Sequence, residues 1–147
     1  MNHKLIRQAR RGQSGVTLIE MMVVVTIIAL FAALVLPKMM RQADRGKITA
    51  AHAQINAFST ALGSYKLDTG VFPTTEQGLR ALREKPESVD NWQGPYLQKE
   101  IENDPWQHPY VYHFPGDHGD EPDIISYGAD GAPGGDGINA DIVSWKN

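Results

Sequence analysis

Cysteine is absent from the 147-residue chain, which excludes disulfide bonds and thiolate metal sites. The five histidines show no H-E-x-x-H or comparable spacing, and neither a G-x-S-x-G motif nor a phosphate-binding glycine loop occurs. The chain thus lacks every constellation of residues by which a catalytic site is usually recognised. We therefore expect a protein that is not an enzyme.

Basic residues are also scarce outside the first 15 residues. Four of the 14 Lys and Arg residues precede Gly15 with no acid among them, and they are Lys4, Arg7, Arg10 and Arg11. Without these four, ten bases would stand against 17 acids. From Gly116 onward, seven acids face only Lys146. Phosphate contacts need clustered Lys and Arg, so we expect no nucleic-acid partner.

A long apolar run follows Gly15. Residues 16–36 are apolar apart from Thr17, Glu20 and Thr26. As a helix this run would extend roughly 31 Å, which is close to the thickness of the hydrocarbon core of a membrane. The bases that precede the run place its beginning in the cytoplasm and the rest of the chain across the membrane. The sequence therefore predicts a single membrane-spanning helix.

A carboxylate near one end of this run, Glu20, is costly inside a membrane. Unpaired, it costs on the order of 1–3 kcal/mol depending on depth. Two simpler interpretations, a plain signal anchor and a signal peptide cut near Ala32, give it no partner. A cut after Gly15 would create an α-amino group at Val16, and this cation could neutralise Glu20 within one chain or between neighbouring chains. Protonation of Glu20 on burial is a further alternative.

Helical periodicity continues beyond the apolar run. Pro37 removes one backbone hydrogen bond, so we expect a kink between residues 33 and 37, unless Pro37 simply ends the membrane segment. Farther along, apolar residues recur at spacings of three and four, namely Ile48, Ala51, Ile55, Phe58, Leu62 and Tyr65. This stripe is typical of core packing against the rest of the chain. Gly70 suits a left-handed cap at the end of the helix.

The last 80 or so residues are predicted to form a small α+β head. Thr74 and Gln77 fit a capping box, with Thr75 as the rival cap, before a short helix whose Leu79 and Leu82 face the long helix. Three strands are predicted at residues 110–114, 123–127 and 142–145. The fold class is therefore α+β, with a long N-terminal helix packed on a small antiparallel sheet.

An acidic, glycine-rich loop at residues 126–141 joins the last two predicted strands. Asp130, Asp136, Asn139 and Asp141 offer side-chain oxygens, and the glycines let backbone carbonyls turn inward. Hard oxygen donors of this kind suit calcium rather than zinc or copper, although the spacing is not that of an EF-hand. A mobile turn with solvated aspartates explains the composition equally well, so both interpretations stay open at this point.

The beginning of the chain resembles the class III leader of type IV pilins and type II secretion pseudopilins. The resemblance lies in R-R-G-Q-S-G at residues 10–15 and V-T-L-I-E-M-M-V-V at residues 16–24. It implies that a prepilin peptidase cuts between Gly15 and Val16 and methylates the new N-terminus at Val16. It also implies that Glu20 guides subunit docking. Valine stands here at the first mature position, where that family usually has Phe.

The head resembles the major pseudopilins of type II secretion in Y-K-L-D at residues 65–68, F-P-T-T-E-Q-G-L at 72–79 and D-P-W-x-x-P-Y at 104–110. The lack of cysteine agrees, since pilus-forming pilins usually carry a C-terminal disulfide loop. The resemblance implies a pilin-like fold with calcium in the loop at residues 126–141. Asp130 and Asp141 would be the best side-chain ligands, and Tyr127 would offer its carbonyl. Asn139 and Asp136 are weaker candidates.

The resemblance also implies an organisation and a function. Residues 1–15 would be a cleaved leader, 16–37 a transmembrane and filament-core helix, and 38–147 a periplasmic head. The single-pass inner-membrane protein would polymerise into the periplasmic pseudopilus that drives type II secretion of folded proteins across the outer membrane.

The partners implied by the resemblance are further copies of the same chain, minor pseudopilins, the prepilin peptidase, the inner-membrane assembly platform and, before assembly, membrane lipid. Two alternatives differ in class. One is a pilin-like minor subunit or adhesin, which is a binding module. The other is a membrane-anchored periplasmic domain that never polymerises.

Overall fold

A long helix dominates the computed structural model, which describes residues 15–146. Helix α1 comprises 52 residues, Leu18–Thr69. The predicted leader lies outside the described residues except for Gly15. Among the described residues, α1 is the one helix that is long and apolar enough to cross a membrane. The chain divides between Met40 and Arg41 into two units.

The first unit is the apolar part of α1. Its large apolar side chains between Val16 and Met40 are exposed, for example Leu18 at 81% and Leu34 at 64%. Pro37 lies inside α1, and the helical assignment is unbroken there. Pro37 therefore does not end the helix, and the predicted kink stays a prediction. So much exposed apolar surface requires a lipid or protein partner, because isolated soluble domains rarely expose contiguous patches of this size.

The second unit buries the amphipathic part of α1. The predicted stripe is confirmed, since five of its six residues are buried and Ile48 is partly buried. Leu62 is 1% exposed and Leu82, from a 3₁₀ helix at Leu79–Leu82, is completely buried. Each of these two side chains stabilises the fold by about 1.5–3 kcal/mol. The helix ends as predicted, with Gly70 at φ 83° and its N–H donating to the Lys66 carbonyl at 2.8 Å.

A three-stranded antiparallel sheet completes the head. Its strands are β1 (Val111–His113), β2 (Asp123–Ser126) and β3 (Ile142–Val143), in the order β1-β2-β3. Tyr112 pairs with Ile124, and Ser126 pairs with Ile142. All three strands lie within the predicted ranges and are shorter than predicted. The architecture is the predicted long helix with a small antiparallel sheet.

The turn between α1 and the 3₁₀ helix carries the predicted cap residues Thr74, Thr75 and Gln77. Thr74 and Gln77 make the predicted reciprocal hydrogen bonds, with Gln77 Oε1 accepting from the Thr74 N–H at 2.9 Å and Thr74 Oγ1 accepting from the Gln77 N–H at 3.3 Å. They do not cap the short helix, because it begins only at Leu79, after Gly78, so the pair closes the turn before it. Thr75, the rival cap, instead bonds the backbone of Phe114, with its hydroxyl donating to the carbonyl at 2.9 Å and accepting from the N–H at 3.0 Å. It therefore joins this turn to the end of β1.

Candidate functional site

The first candidate site is the beginning of α1, where Thr17 and Glu20 cap the helix. Glu20 Oε2 accepts a hydrogen bond from the Thr17 N–H at 3.4 Å, and Thr17 Oγ1 accepts one from the Glu20 N–H at 3.3 Å. This reciprocal pair is a capping box, which satisfies two donors that a helix terminus otherwise leaves unpaired. This capping box was not predicted, although T-x-x-E at residues 17–20 is its ordinary sequence signal.

The capping box fixes where the Glu20 carboxylate lies. It stands in the first turn of α1 and its side chain is exposed, like that of the neighbouring Val16. The positive end of the helix dipole favours a negative charge at this position. Among residues 15–146, the hydrogen bond that this carboxylate accepts is a long one, so the carboxylate remains able to bind a cation from another chain. The geometry thus suits the docking role that the resemblance assigns to Glu20.

The second candidate site is the loop between β2 and β3. It contains two 3₁₀ helices, Gly128–Asp130 and Gly137–Asn139, which contact each other. Tyr127 directly precedes the first, Asp136 directly precedes the second, and Asp141 directly precedes β3. All five predicted metal ligands therefore lie on one folded loop rather than on an extended connection.

Asp141 carries the most informative atom of this loop. Its Oδ2 accepts a hydrogen bond from the Gly134 N–H at 2.9 Å. Its Oδ1 is buried, and no donor from the described part of the chain reaches it. A buried polar atom without a partner costs about 1–3 kcal/mol, and more when it is charged. An oxygen-binding cation would satisfy this atom.

Residues 138–140, which directly precede Asp141, turn three carbonyl oxygens toward glycines of the loop. Gly128 has φ 65°, and a methyl group on its Cα would lie 2.8 Å from the Ile138 carbonyl oxygen and 3.0 Å from that of Ala140. The same test at Gly135, with φ 80°, gives 2.5 Å to the Asn139 carbonyl oxygen. Only glycine fits at these two places, so the chain approaches its own carbonyls closely. The glycines of this loop therefore lie in close contact with its own backbone carbonyls.

The donor chemistry matches calcium. Among residues 15–146, no three His, Cys, Asp or Glu side chains converge as a metal cluster. Calcium needs no such cluster, because backbone carbonyls complete its shell of oxygen ligands. Asp130 is exposed and its Oδ1 accepts from the Ala132 N–H at 3.2 Å, while the Asp136 carboxylate does not cap the second 3₁₀ helix. The residues present fit calcium, and its binding stays a prediction.

Comparisons with known proteins cover both candidate sites. A family model described as type II secretion system (T2SS), protein G, matches residues 38–145. A second model, described as the prokaryotic N-terminal methylation motif, matches residues 10–36. Together they span the chain from the basic leader to Trp145.

Individual relatives match over nearly their whole length. The type II secretion system core protein G of Pseudomonas aeruginosa is 47% identical over 94% of this chain and 99% of that protein. That of Vibrio cholerae is 43% identical over 92% of this chain and 94% of that protein. A crystal structure of the major pseudopilin from the type 2 secretion system of enterohaemorrhagic Escherichia coli superposes with a TM-score of 0.62. It is 34% identical and covers 72% of this chain and 88% of that one.

Proposed function

Because the chain belongs to the protein G family of type II secretion systems, the major pseudopilins, we propose that it is cut after Gly15 and polymerises through α1. The family is structural, and membership implies assembly with other components of the secretion system. The methylation motif at residues 10–36 implies processing by a prepilin peptidase. We extend this to residues: the scissile bond is Gly15–Val16, and Val16 becomes the methylated N-terminus.

The observation that carries the proposal is the exposed apolar surface of α1 between Val16 and Met40. Before assembly this surface lies in the inner membrane, with the head in the periplasm. During assembly each helix leaves the lipid for the centre of a filament, where neighbouring helices cover the same surface. The apolar area stays out of water in both states, so transfer between them is possible at low cost.

Glu20 is proposed to set the register between subunits. In the free chain its carboxylate accepts from the Thr17 N–H. In the filament it binds the Val16 amine of a neighbouring copy, since an ion pair is favoured once both charges leave water. The partners in this proposal are other copies of the chain, which form the pseudopilus, together with minor pseudopilins and the inner-membrane assembly platform.

Calcium is proposed to pin the loop between β2 and β3. Asp141 and Asp130 supply carboxylate oxygens, Tyr127 supplies its carbonyl, and Asn139 and Asp136 lie on the same loop as weaker candidates. The buried and unpartnered Asp141 Oδ1 supports this assignment. The ion's role is structural: it stabilises the folded head by binding a geometry that the unfolded chain lacks.

Two substitutions of Glu20 test the assembly proposal. Glutamine retains the hydrogen-bonding capacity of a capping box but not the charge, whereas alanine loses both. We expect Glu20→Ala and Glu20→Gln to leave monomers in the membrane and to abolish filaments, as seen by electron microscopy after overproduction. Asp44→Ala, an acid farther along α1, is the control and should assemble. Normal filaments from Glu20→Gln would show that the cap suffices and that the ion pair is not needed.

A further inference from the structure

The Asp-Pro-Trp turn at residues 104–108 is buried more deeply than a polar turn needs to be. Asp104 is 1% exposed, and Ser126, at the end of β2, is completely buried. Asp104 lies far from α1 in sequence, and neither the assembly proposal nor the calcium ligands use it. The free-energy cost of burying a carboxylate must be offset by hydrogen-bond donors. The donors to Asp104 therefore indicate which parts of the head this turn holds together.

The donors to Asp104 come from its own turn and from β2. Oδ1 accepts from the Trp106 N–H at 3.0 Å and from the His108 N–H at 2.8 Å. Oδ2 accepts from the Ser126 hydroxyl at 2.5 Å. Three hydrogen bonds to one carboxylate are of the strong, charge-assisted kind. They fix the turn and orient the Ser126 hydroxyl at the same time.

From this turn, two hydrogen bonds reach the candidate metal loop at a single residue, Gly128. Ser126 Oγ accepts from the Gly128 N–H at 3.3 Å. His108 Nδ1 lies 3.0 Å from the Gly128 carbonyl oxygen, and since a carbonyl only accepts, Nδ1 carries the proton in this contact. The N–H and the carbonyl of Gly128 are therefore bound by Ser126 and His108, and both of these residues are hydrogen-bonded to Asp104.

The loop has two limbs, residues 127–131 and residues 137–141, and they contact each other at Gly128. At φ 65° it packs against the carbonyls of Ile138 and Ala140. Three residues on, Gly131 has φ 64°, and a methyl group there would lie 3.0 Å from the His108 ring. The limb that carries Asp130 is thus held between the 104–108 turn on one side and the limb that leads to Asp141 on the other.

We propose that Asp104, Ser126 and His108 are positioning residues for the calcium loop. None of them is assigned as a metal ligand. They hold Gly128, and with it the Tyr127 carbonyl and Asp130, in place before the ion binds. Preorganisation raises affinity because less ordering remains to be done on binding, and residues that orient ligands change metal affinity by about 10–100-fold. The inference depends on the proposed calcium site.

The test compares two serines of the same sheet region. Ser126→Ala removes the bridge between Asp104 and Gly128. Ser144→Ala removes a hydroxyl that accepts from the Ile124 N–H at 3.1 Å and that the structure does not connect to the 127–131 limb. Calorimetric titration of calcium chloride into the full-length mature chain in detergent gives Kd, and thermal melting in chelator gives the stability of the calcium-free fold.

We expect Ser126→Ala to raise the Kd for calcium by about 10-fold or more and Ser144→Ala to leave it within about twofold, even where both lower the chelated Tm equally. His108→Phe keeps a ring beside Gly131 but loses the donor, so it should raise Kd too. If Ser126→Ala does not fold, the Kd of His108→Phe tests the positioning role in its place. If Ser126→Ala and His108→Phe both have Kd values within about twofold of that of Ser144→Ala, the inference is wrong while the proposed calcium site still stands. If the unaltered chain binds no calcium, both the proposed calcium site and this inference are wrong.

Discussion

In the calcium loop, the substitution Asp141→Asn should raise the stability of the head in chelator and lower it in calcium. In chelator, the aspartate keeps a buried oxygen, Oδ1, that no described residue binds. Asparagine removes the charge and can still accept from the Gly134 N–H, which Asp141 Oδ2 binds at 2.9 Å. The calcium-free variant should therefore be the more stable protein. With calcium it should be the less stable one, because it has lost a ligand.

The magnitudes follow from the cost of the unpartnered atom and from mass action. Asparagine leaves a neutral amide nitrogen at the buried Oδ1 position, so the gain is the difference between an unsatisfied charged group and an unsatisfied neutral one, about 1 kcal/mol. The variant should therefore melt roughly 4 °C above the unaltered chain in chelator. Calcium at about 100 times its Kd adds about 2.7 kcal/mol to the free energy of unfolding of the unaltered chain. This corresponds to a rise in Tm of roughly 10 °C for a unit of this size, and the variant should show less than half of it.

The assay is thermal melting of the full-length mature chain in detergent, followed by near-ultraviolet circular dichroism, in chelator and in calcium. Asp120→Asn is the matched control, since it makes the same charge change at an exposed acid outside the loop. It should follow the unaltered chain under both conditions. A calcium-induced rise in Tm that is equal for Asp141→Asn and Asp120→Asn would refute the assignment of Asp141. If calcium raises the Tm of none of the three proteins, the loop is a turn with solvated aspartates and not a calcium site.

Two further predictions concern buried tyrosines. Tyr65 is completely buried, and no described residue binds its hydroxyl, whereas the Tyr112 hydroxyl donates to the Pro73 carbonyl at 2.8 Å. In urea titrations Tyr65→Phe should raise the free energy of unfolding by about 1 kcal/mol and Tyr112→Phe should lower it by about 1–2 kcal/mol; equal losses would contradict this. Burial also raises the pKa of Tyr110 and Tyr112 well above the usual value. The folded state then keeps protons that the unfolded state releases above about pH 10, so the urea midpoint should fall from pH 9 to pH 11, and a constant midpoint would count against it.

The fold was predictable from sequence for physical reasons, and the family was predictable from the resemblance of its motifs. The stripe that includes Ile55, Phe58 and Leu62 has the period of a helix with one buried face, and all three residues are buried. Gly70 stops the helix where a left-handed residue is needed. These signals are local, and tertiary packing did not override them. The predicted membership of the major pseudopilins is confirmed by the family match and by the relatives.

The details of the two sites were less accessible. The Thr17–Glu20 capping box has an ordinary sequence signal, T-x-x-E, but the cost of a charge in an apolar run is an equally strong signal and points to a partner outside the helix. The buried Asp104 could not have been recognised, because its partner Ser126 lies 22 residues away and a D-P-W turn is ordinarily solvated. The unpartnered oxygen of Asp141 likewise depends on how the loop folds, which composition does not determine.

The most direct test of the central claim is intact mass spectrometry of subunits taken from isolated filaments. We expect one species, which begins at Val16 and carries a single additional methyl group on its α-amine. A subunit that retains the leader, or one whose N-terminus lies beyond Ala32, would contradict processing at Gly15. It would also remove the cation with which Glu20 is proposed to pair.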